Sequence, residues 1–188
     1  MPLNVLLLGP QGAGKGTQAK RISAEYGIPH IASGEILRAE MDAATELGKR
    51  VKDTIERGDL VSDELMIELI RNRLEQPDTE AGFVLDGFPR TTVQAEALDS
   101  MFADIGRNFS VAFALQIPDE VAFDRLRRRA RADDTDEAIQ RRLDNYHRET
   151  EPLIEFYRTR GNVVPIHANR SENEVFAEIS RALEQVPA

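Results

Sequence analysis

Residues 9–17 read Gly9-Pro10-Gln11-Gly12-Ala13-Gly14-Lys15-Gly16-Thr17. This stretch follows an apolar run, Leu3 to Leu8, and precedes a polar, helix-prone segment, Gln18 to Tyr26. A buried strand, a glycine-rich turn and a helix in this order are the context that a phosphate-binding loop requires. The four glycines permit positive φ, so that backbone N–H groups can point inward at an anion. The stretch therefore predicts a binding site for a nucleoside triphosphate.

Two side chains of this loop carry chemistry. Lys15 is expected to reach the β- and γ-phosphates, and the hydroxyl of Thr17 to approach a phosphate-bound Mg2+. A helix starting near Lys15 would add the positive end of its dipole. The usual pattern places Ser or Thr directly after the lysine, whereas Gly16 intervenes here. The alternative, a glycine-rich turn without a ligand, gives no reason for the conformational cost of four glycines.

Composition limits the class of protein. The 188 residues are 41% apolar and 30% charged, which suits one globular domain. A formal net charge of -9 argues against broad binding to nucleic acid or to an anionic membrane. The absence of Cys excludes disulfides and thiolate metal sites and fits a reducing compartment. Because neither a leader-like segment nor a membrane-length apolar run is found in the sequence, a cytoplasmic location is expected.

Strand and helix patterns alternate along the chain. Short apolar runs predict strands at Leu3–Leu8, 28–31, 83–85, 111–117 and 163–166, and Pro165 places the last at an edge. Alternation of this kind predicts an α/β fold, a parallel sheet with helices on both faces. Such sheets bind ligands at the carboxyl ends of their strands. The loop at Gly9 and the turns at Asp86 and Pro118 all fall on that edge.

Cap motifs mark several helix starts. Thr91 and Gln94 have the spacing of a capping box, and Asp134 and Glu137 look like the cap of a later helix. Pro152 is expected to kink or split that helix. The segment 33–57 has few apolar positions, which predicts a small, lightly anchored lobe outside the core.

Acidic and basic side chains are candidates for the chemistry. Asp86 follows a strand and could hold Mg2+ or its waters, although an aspartate before glycine is also common in turns. Arg38 and Arg90 could each clamp a phosphate with two hydrogen bonds, or Arg38 could be a solvated charge. Five arginines lie within seven residues. They could form a solvated helix face offset by nearby acids, but their mutual repulsion favours an anionic ligand nearby, which Arg142 on the next helix could also contact. These five are Arg125, Arg127, Arg128, Arg129 and Arg131.

The chain resembles the adenylate kinase family over nearly its whole length. The glycine-rich loop matches the variant of the motif found in that family, including the inserted Gly16. Ala32-Ser33-Gly34-Glu35-Ile36-Leu37-Arg38 resembles the start of the family's AMP-binding lobe, and Leu85-Asp86-Gly87-Phe88-Pro89-Arg90-Thr91 is similar to its most specific signature. Arg131-Ala132-Asp133-Asp134 and Arg141-Arg142-Leu143 complete the resemblance.

The resemblance implies a P-loop NTPase-type fold in a single kinase domain, residues 1–188. Its core would comprise 1–31, 62–127 and 135–188, with a nucleoside-monophosphate-binding lobe at 32–61 and a very short lid at 128–134. The implied reaction is the reversible, Mg2+-dependent transfer of the terminal phosphoryl group of ATP to AMP, giving two ADP. A monomer without zinc is expected, with ATP and AMP as substrates and no nucleic-acid or membrane partner.

Site residues follow from the same resemblance. ATP would be held by Gly12, Ala13, Gly14, Lys15, Gly16, Thr17, Arg129 and Arg170. AMP would be held by Ser33, Arg38, Asp59, Leu60, Val61, Gly87, Phe88, Pro89, Arg90, Gln94, Arg131 and Arg142. The catalytic set would be Lys15, Arg90, Arg125, Arg129, Arg131 and Arg142. Thr17 and Asp86 would bind Mg2+ through water molecules.

Departures from the family pattern leave alternatives open. Ser33 and Glu35 replace the usual Thr and Asp, and Arg128 and Ala130 stand where glycines are common, which predicts a stiffer lid hinge. Ser33 and Gln94 could instead be helix caps. A UMP/CMP kinase on the same scaffold typically has Ala and Asn at the positions of Ser33 and Gln94. A P-loop nucleotide switch would need a guanine-reading Asn-Lys-x-Asp, which the sequence lacks.

Overall fold

Five parallel strands form one sheet in a computed structural model, which describes residues 2–186. The spatial order is β2-β3-β1-β4-β5, so β1 is central and β5, which contains Pro165, is at an edge, as predicted. The parallel α/β architecture predicted from the sequence is confirmed. The strands are β1 (Leu3–Leu8), β2 (His30–Ala32), β3 (Gly82–Asp86), β4 (Val111–Gln116) and β5 (Val163–His167).

Nine α-helices connect and cover the strands within residues 2–186. None of these helices is both long enough and apolar enough to cross a bilayer. A 3₁₀ turn, Pro77–Thr79, precedes β3, and a π-helical turn, Tyr146–Thr150, separates two helices at Pro152, where a split was predicted. The helices are α1 (Lys15–Tyr26), α2 (Ser33–Asp42), α3 (Glu46–Glu56), α4 (Asp63–Leu74), α5 (Thr92–Asp104), α6 (Asp119–Arg129), α7 (Asp136–Asn145), α8 (Pro152–Arg158) and α9 (Glu172–Leu183).

Two hydrophobic clusters cover the faces of the sheet. Because side chains alternate along a strand, Leu6 and Leu8 of β1 pack into one cluster, whereas Val5 and Leu7 pack into the other. The first cluster includes side chains of α4, α5 and α8, and the second includes side chains of α1 and α9. Burial on both faces explains why β1 is an almost continuous apolar run.

The segment 33–57 differs from the prediction. It forms two helices, α2 and α3, which are separated at Ala44, a residue with φ of 50°. Leu37 and Val51 are buried and belong to the same cluster as Leu6. The expectation that this lobe lies outside the core was therefore wrong for these two side chains. The division of the chain into core, lobe and lid stays a prediction.

The buried hydroxyl of Tyr157 gives a stability prediction. The side chain is fully buried against Phe109 and Phe156, and its hydroxyl forms no hydrogen bond with the described residues. Because a buried polar group without a partner costs free energy, Tyr157→Phe should raise the free energy of unfolding or lower it by less than about 1 kcal/mol. Urea denaturation measures the free energy of unfolding of this variant. Tyr157→Ala serves as the comparison and is expected to lower the free energy of unfolding by about 3–5 kcal/mol. A loss above about 2 kcal/mol in the Phe variant would contradict it.

His147 predicts a pH dependence of stability. Its ring nitrogens lie 2.7 Å from Glu151 and 2.9 Å from Asp119, and these contacts raise the pKa of His147. A raised pKa stabilises the folded state below the unfolded value of about 6.5, and the contribution is lost as pH rises through the folded value. Since the side chain is 44% exposed, we expect His147 to contribute less than about 1 kcal/mol to the free energy of unfolding.

The check is the difference in unfolding free energy between the wild type and His147→Gln, measured by urea denaturation from about pH 5.5 to about pH 8.5. We expect this difference to shrink as pH rises. A constant difference, or one that grows with pH, would show that His147 does not gain protons on folding.

Candidate active site

The loop after β1 curls tightly before α1 begins. Gly9, Gly12 and Gly14 have positive φ values of 138°, 86° and 90°. A Cβ at Gly12 would lie 2.8 Å from the carbonyl oxygen of Ala122. Gly16 instead lies in the first turn of α1, so the prediction of positive φ at all four glycines was wrong there. The N-terminus of α1 therefore borders the loop and offers backbone N–H groups to an anion.

Lys15 folds back over this loop. Its ammonium donates hydrogen bonds to the carbonyl oxygens of Gly9 at 2.8 Å and Pro10 at 2.9 Å. Burial lowers the pKa of Lys15 to about 8, and repulsion by Arg90 acts in the same direction, while the charge of Asp86 opposes both. An ammonium that is costly to keep charged gains stability from an anion placed beside it. The geometry at Lys15 thus suits a phosphate.

Asp86 ends β3 and lines the same cleft as Thr17. Burial raises the pKa of Asp86, but a contact with His30 at 3.6 Å and the charge of Lys15 together lower it by more than burial raises it. The pKa of Asp86 therefore lies below its usual value. The cleft therefore holds an ionised carboxylate and a hydroxyl, which are hard oxygen ligands of the kind that Mg2+ prefers. In residues 2–186, no group of three or more His, Cys, Asp or Glu side chains could enclose a metal ion.

Arg90 and Ser33 meet at one carbonyl group. The Arg90 guanidinium and the Ser33 hydroxyl each donate to the carbonyl oxygen of Gly87 at 2.8 Å. Ser33 is the first residue of α2, whose cap position is Ala32, so the alternative that Ser33 caps this helix was wrong. Burial lowers the pKa of both Arg38 and Arg90, which means that their charges are poorly hydrated and can gain from an anionic ligand.

Gln94 also departs from the capping-box alternative. The Thr91 hydroxyl does accept a hydrogen bond from the Gln94 backbone N–H, at 3.2 Å. The Gln94 side chain does not accept a hydrogen bond from the Thr91 backbone N–H, as a capping box requires. Instead its Oε1 accepts from the backbone N–H of Arg90 at 2.8 Å, and its Nε2 donates to Asp63 at 2.9 Å. The capping box was therefore wrong in its second half, and the amide is held in a defined orientation.

Asp134 holds two arginines together. Arg129 donates two hydrogen bonds to this carboxylate at 2.7 and 2.9 Å, and Arg142 donates a third at 2.7 Å. Arg142 also pairs with Asp133. Burial raises the pKa of Asp134, but its hydrogen bonds and charge contact with Arg129 lower it more. Asp134 was predicted as the cap of α7, which was wrong, since the Thr135 hydroxyl occupies that role.

Arg125 and Arg170 have different surroundings. Arg125 lies over the loop and donates to the carbonyl oxygens of Gly12 at 3.3 Å and Ala168 at 3.2 Å. Arg170 is exposed and pairs with Glu178 of α9. The structure therefore brings Arg125 to the loop, while the Arg170 side chain points to a helix surface. Only the backbone near Arg170 is left for the predicted contact with ATP.

Residues 58–61 are held against α7. The Asn145 amide donates to the carbonyl oxygen of Gly58 at 3.2 Å, and Arg141 lies 3.2 Å from both carboxylate oxygens of Asp59. The backbone of Gly58 also contacts Ala138, because a Cβ at Gly58 would lie 2.4 Å from the Ala138 carbonyl oxygen. These contacts fix the end of the predicted lobe beside the helix that carries Arg142.

Two clefts meet on this edge of the sheet. The loop cleft, about 1080 Å³, is lined by the glycine-rich loop together with Asp86, Arg125, Arg129 and Arg131. The lobe cleft, about 560 Å³, is lined by Ser33, Leu37, residues 58–61, Met66 and Gln94, among others. Both clefts share a boundary, formed by Gln11, Gly34, Arg38, Gly87 and Arg90.

Two predicted site residues play a smaller part. Phe88 is buried in the core, so only its backbone is available to a ligand. Pro89 lines a neighbouring cavity with Arg142, Asn145 and Thr150. Sequence reasoning had not identified Asn145 and Thr150, and the Thr150 hydroxyl donates to the Arg90 carbonyl oxygen at 2.8 Å. Contacts across such sequence distances leave no local signal.

A family model described as Adenylate kinase matches residues 7–162. The chain belongs to the adenylate kinase family. The adenylate kinase of Phocaeicola vulgatus is 43% identical over 188 residues, which cover 98% of this chain and 100% of that protein. The adenylate kinase of Cyanothece sp. is 44% identical over 186 residues, which cover 97% of this chain and 95% of that protein. The adenylate kinase of Methanosarcina barkeri is 39% identical over 213 aligned residues, which cover 97% of this chain and 99% of that protein. The resemblance drawn from the motifs is thus confirmed.

The close approach at Gly58 predicts a specific loss of stability. Gly58 and Gly106 both have positive φ, 79° and 63°, but an added Cβ at Gly106 meets no atom within 4 Å. Gly106→Ala should therefore cost only the backbone strain, about 1 kcal/mol, whereas Gly58→Ala should cost about 2 kcal/mol or more. Urea denaturation of both variants makes the comparison. Equal losses would mean that residues 58–61 do not pack against α7 in solution.

Proposed function

We propose that this member of the adenylate kinase family transfers the terminal phosphoryl group of ATP to AMP and forms two ADP reversibly. The observation that carries the proposal is the boundary shared by the two clefts. Arg38 and Arg90 line both, so phosphates that enter from opposite sides would meet there. This arrangement places a donor and an acceptor end to end, as in-line transfer requires.

The loop cleft is the proposed ATP site. Loop N–H groups and the N-terminus of α1 would bind the phosphates, and Lys15 would exchange its two carbonyl contacts for phosphate oxygens. Arg125 and Arg129 line the same cleft. Thr17 and the ionised Asp86 would hold Mg2+ directly or through water, which fits a cation bound by few protein ligands together with substrate phosphates. When bound, Mg2+ would neutralise charge on the phosphates.

The lobe cleft is the proposed AMP site. Arg38 and Arg90 would clamp the AMP phosphate, and Ser33 and the backbone of Asp59, Leu60 and Val61 would enclose the nucleoside. The base would lie against Gln94, whose amide retains one unused hydrogen-bond valence at each end.

Positioning and charge stabilisation would account for the transfer step. An oxygen of the AMP phosphate forms a bond to the γ-phosphorus as the bond to the β–γ bridging oxygen breaks. No general base is needed, since a phosphate monoester with a second pKa of about 6 is mostly dianionic near neutral pH. Arg90, Arg129, Arg131 and Arg142 would stabilise the equatorial oxygens, and the carboxylate of Asp134 would keep Arg129 and Arg142 oriented.

The remaining parts of the proposal rest on the family resemblance. The connection between α6 and α7 runs only from Ala130 to Thr135, so a short loop would have to exclude water during transfer. Ala130 adopts φ of 51°, a conformation that glycine favours, and the stiffer lid hinge stays a prediction. The UMP/CMP kinase alternative is not favoured. We further propose a monomer in the cytoplasm.

Arg90→Ala tests the phosphate clamp. Because Arg90 would act on both phosphates in the transition state, we expect kcat to fall by at least about 100-fold with the KM for ATP within about threefold. A coupled assay of ADP formation with AMP, UMP and CMP gives both numbers. Arg158→Ala removes an exposed arginine that pairs with Glu155 and should leave turnover unchanged. Undiminished turnover in the Arg90 variant, or faster phosphorylation of UMP or CMP by the wild type, would contradict the proposal.

A further inference from the structure

Asp63 lies behind the Gln94 side chain and does not itself line the lobe cleft. It is the first residue of α4, and its Oδ1 accepts two hydrogen bonds, from the Thr91 hydroxyl at 2.8 Å and from Gln94 Nε2 at 2.9 Å. Gln94 lines the lobe cleft and is only 2% exposed. Asp63 thus contacts the one buried amide of the cleft that the proposed base would face.

The two ends of the Gln94 amide are distinguished by their partners. A carboxylate can only accept hydrogen bonds, so the end that faces Asp63 must be the NH2 group. A backbone N–H can only donate, so the end that faces the Arg90 N–H must be Oε1. Both partners therefore require the same orientation, and the reversed amide would place two donors together at Arg90 and two acceptors together at Asp63.

A fixed amide distinguishes two classes of purine. The unused valences of Gln94 are one N–H at the Asp63 end and one oxygen lone pair at the Arg90 end. A 6-aminopurine offers the complementary pair, an N1 acceptor and a 6-amino donor. A 6-oxopurine offers the reverse, an N1–H donor and an O6 acceptor, and would pair well only with the reversed amide. Mismatched polar groups in a buried site are costly.

We propose that Asp63 is a specificity-determining positioning residue, which selects 6-amino over 6-oxo purine nucleoside monophosphates by fixing the orientation of the Gln94 amide. This inference rests on the proposed function. Without Asp63, only the Arg90 N–H would oppose reversal of the amide. Discrimination should therefore weaken without disappearing.

The experiment measures kcat/KM with AMP and with inosine 5′-monophosphate, which differs in carrying a 6-oxo group. For the wild type we expect AMP to be preferred by at least about 100-fold. In Asp63→Leu, which is similar in size but accepts no hydrogen bond, we expect this ratio to fall by about tenfold, the worth of one hydrogen bond. We expect the same fall in this ratio in Asp63→Ala. Because a ratio from one preparation cancels the folded fraction, a loss of stability does not obscure the result.

Asp63→Asn is the matched control. Both hydrogen bonds fall on a single oxygen, so an asparagine Oδ1 can accept both while the charge is lost. We expect this variant to keep most of the preference for AMP. An unchanged ratio in the Leu and Ala variants would overturn the inference, and so would an equal fall in the Asn variant, which would point to charge. Failure of the wild type to phosphorylate AMP would instead contradict the proposed function.

Discussion

Positive charge gathered at one edge of the sheet is the constraint on which the site depends. Burial lowers the pKa of Lys15, Arg38 and Arg90, and repulsion from neighbouring cations lowers each further, with Arg90 acting on Lys15 and Arg38 acting on Arg90. The chain as a whole carries a net charge of -9, so this concentration is local. Such a site is stable only where nearby acceptors offset the repulsion, and it gains further from polyanionic ligands.

The acceptors that offset this repulsion also fix the geometry. Asp134 holds Arg129 and Arg142 side by side, the Gly87 carbonyl holds Arg90 and Ser33, and Thr150 anchors the backbone of Arg90. The Ser33–Gly87 and Thr150–Arg90 contacts join parts of the chain that are far apart in sequence. The arginines are thereby positioned by the folded protein, which reduces the reorganisation needed when a phosphoryl group is transferred.

Local features of the sequence predicted much of the fold. The boundaries of β1 agree with the apolar run, and the carboxyl edge of the sheet carries the glycine-rich loop and Asp86 as expected. Whether a polar side chain caps its own helix or bonds to another group could not be predicted, because this depends on tertiary geometry. Asp134 and Ser33 each had a cap-like position in sequence, but the Asp134 carboxylate accepts from Arg129 and Arg142, and the Ser33 hydroxyl donates to the Gly87 carbonyl oxygen. The same holds for the Gln94 amide.

We propose that two nucleotides bind end to end across the boundary formed by Arg38 and Arg90. A crystal structure with a bisubstrate analogue, two adenosines joined by a chain of phosphates, is the decisive test of this arrangement. We expect one adenine against Gln94, the other nucleoside in the loop cleft, and phosphate oxygens bonded to Lys15 and Arg90. An analogue that occupied the loop cleft alone, with its second adenosine outside the lobe cleft, would contradict it.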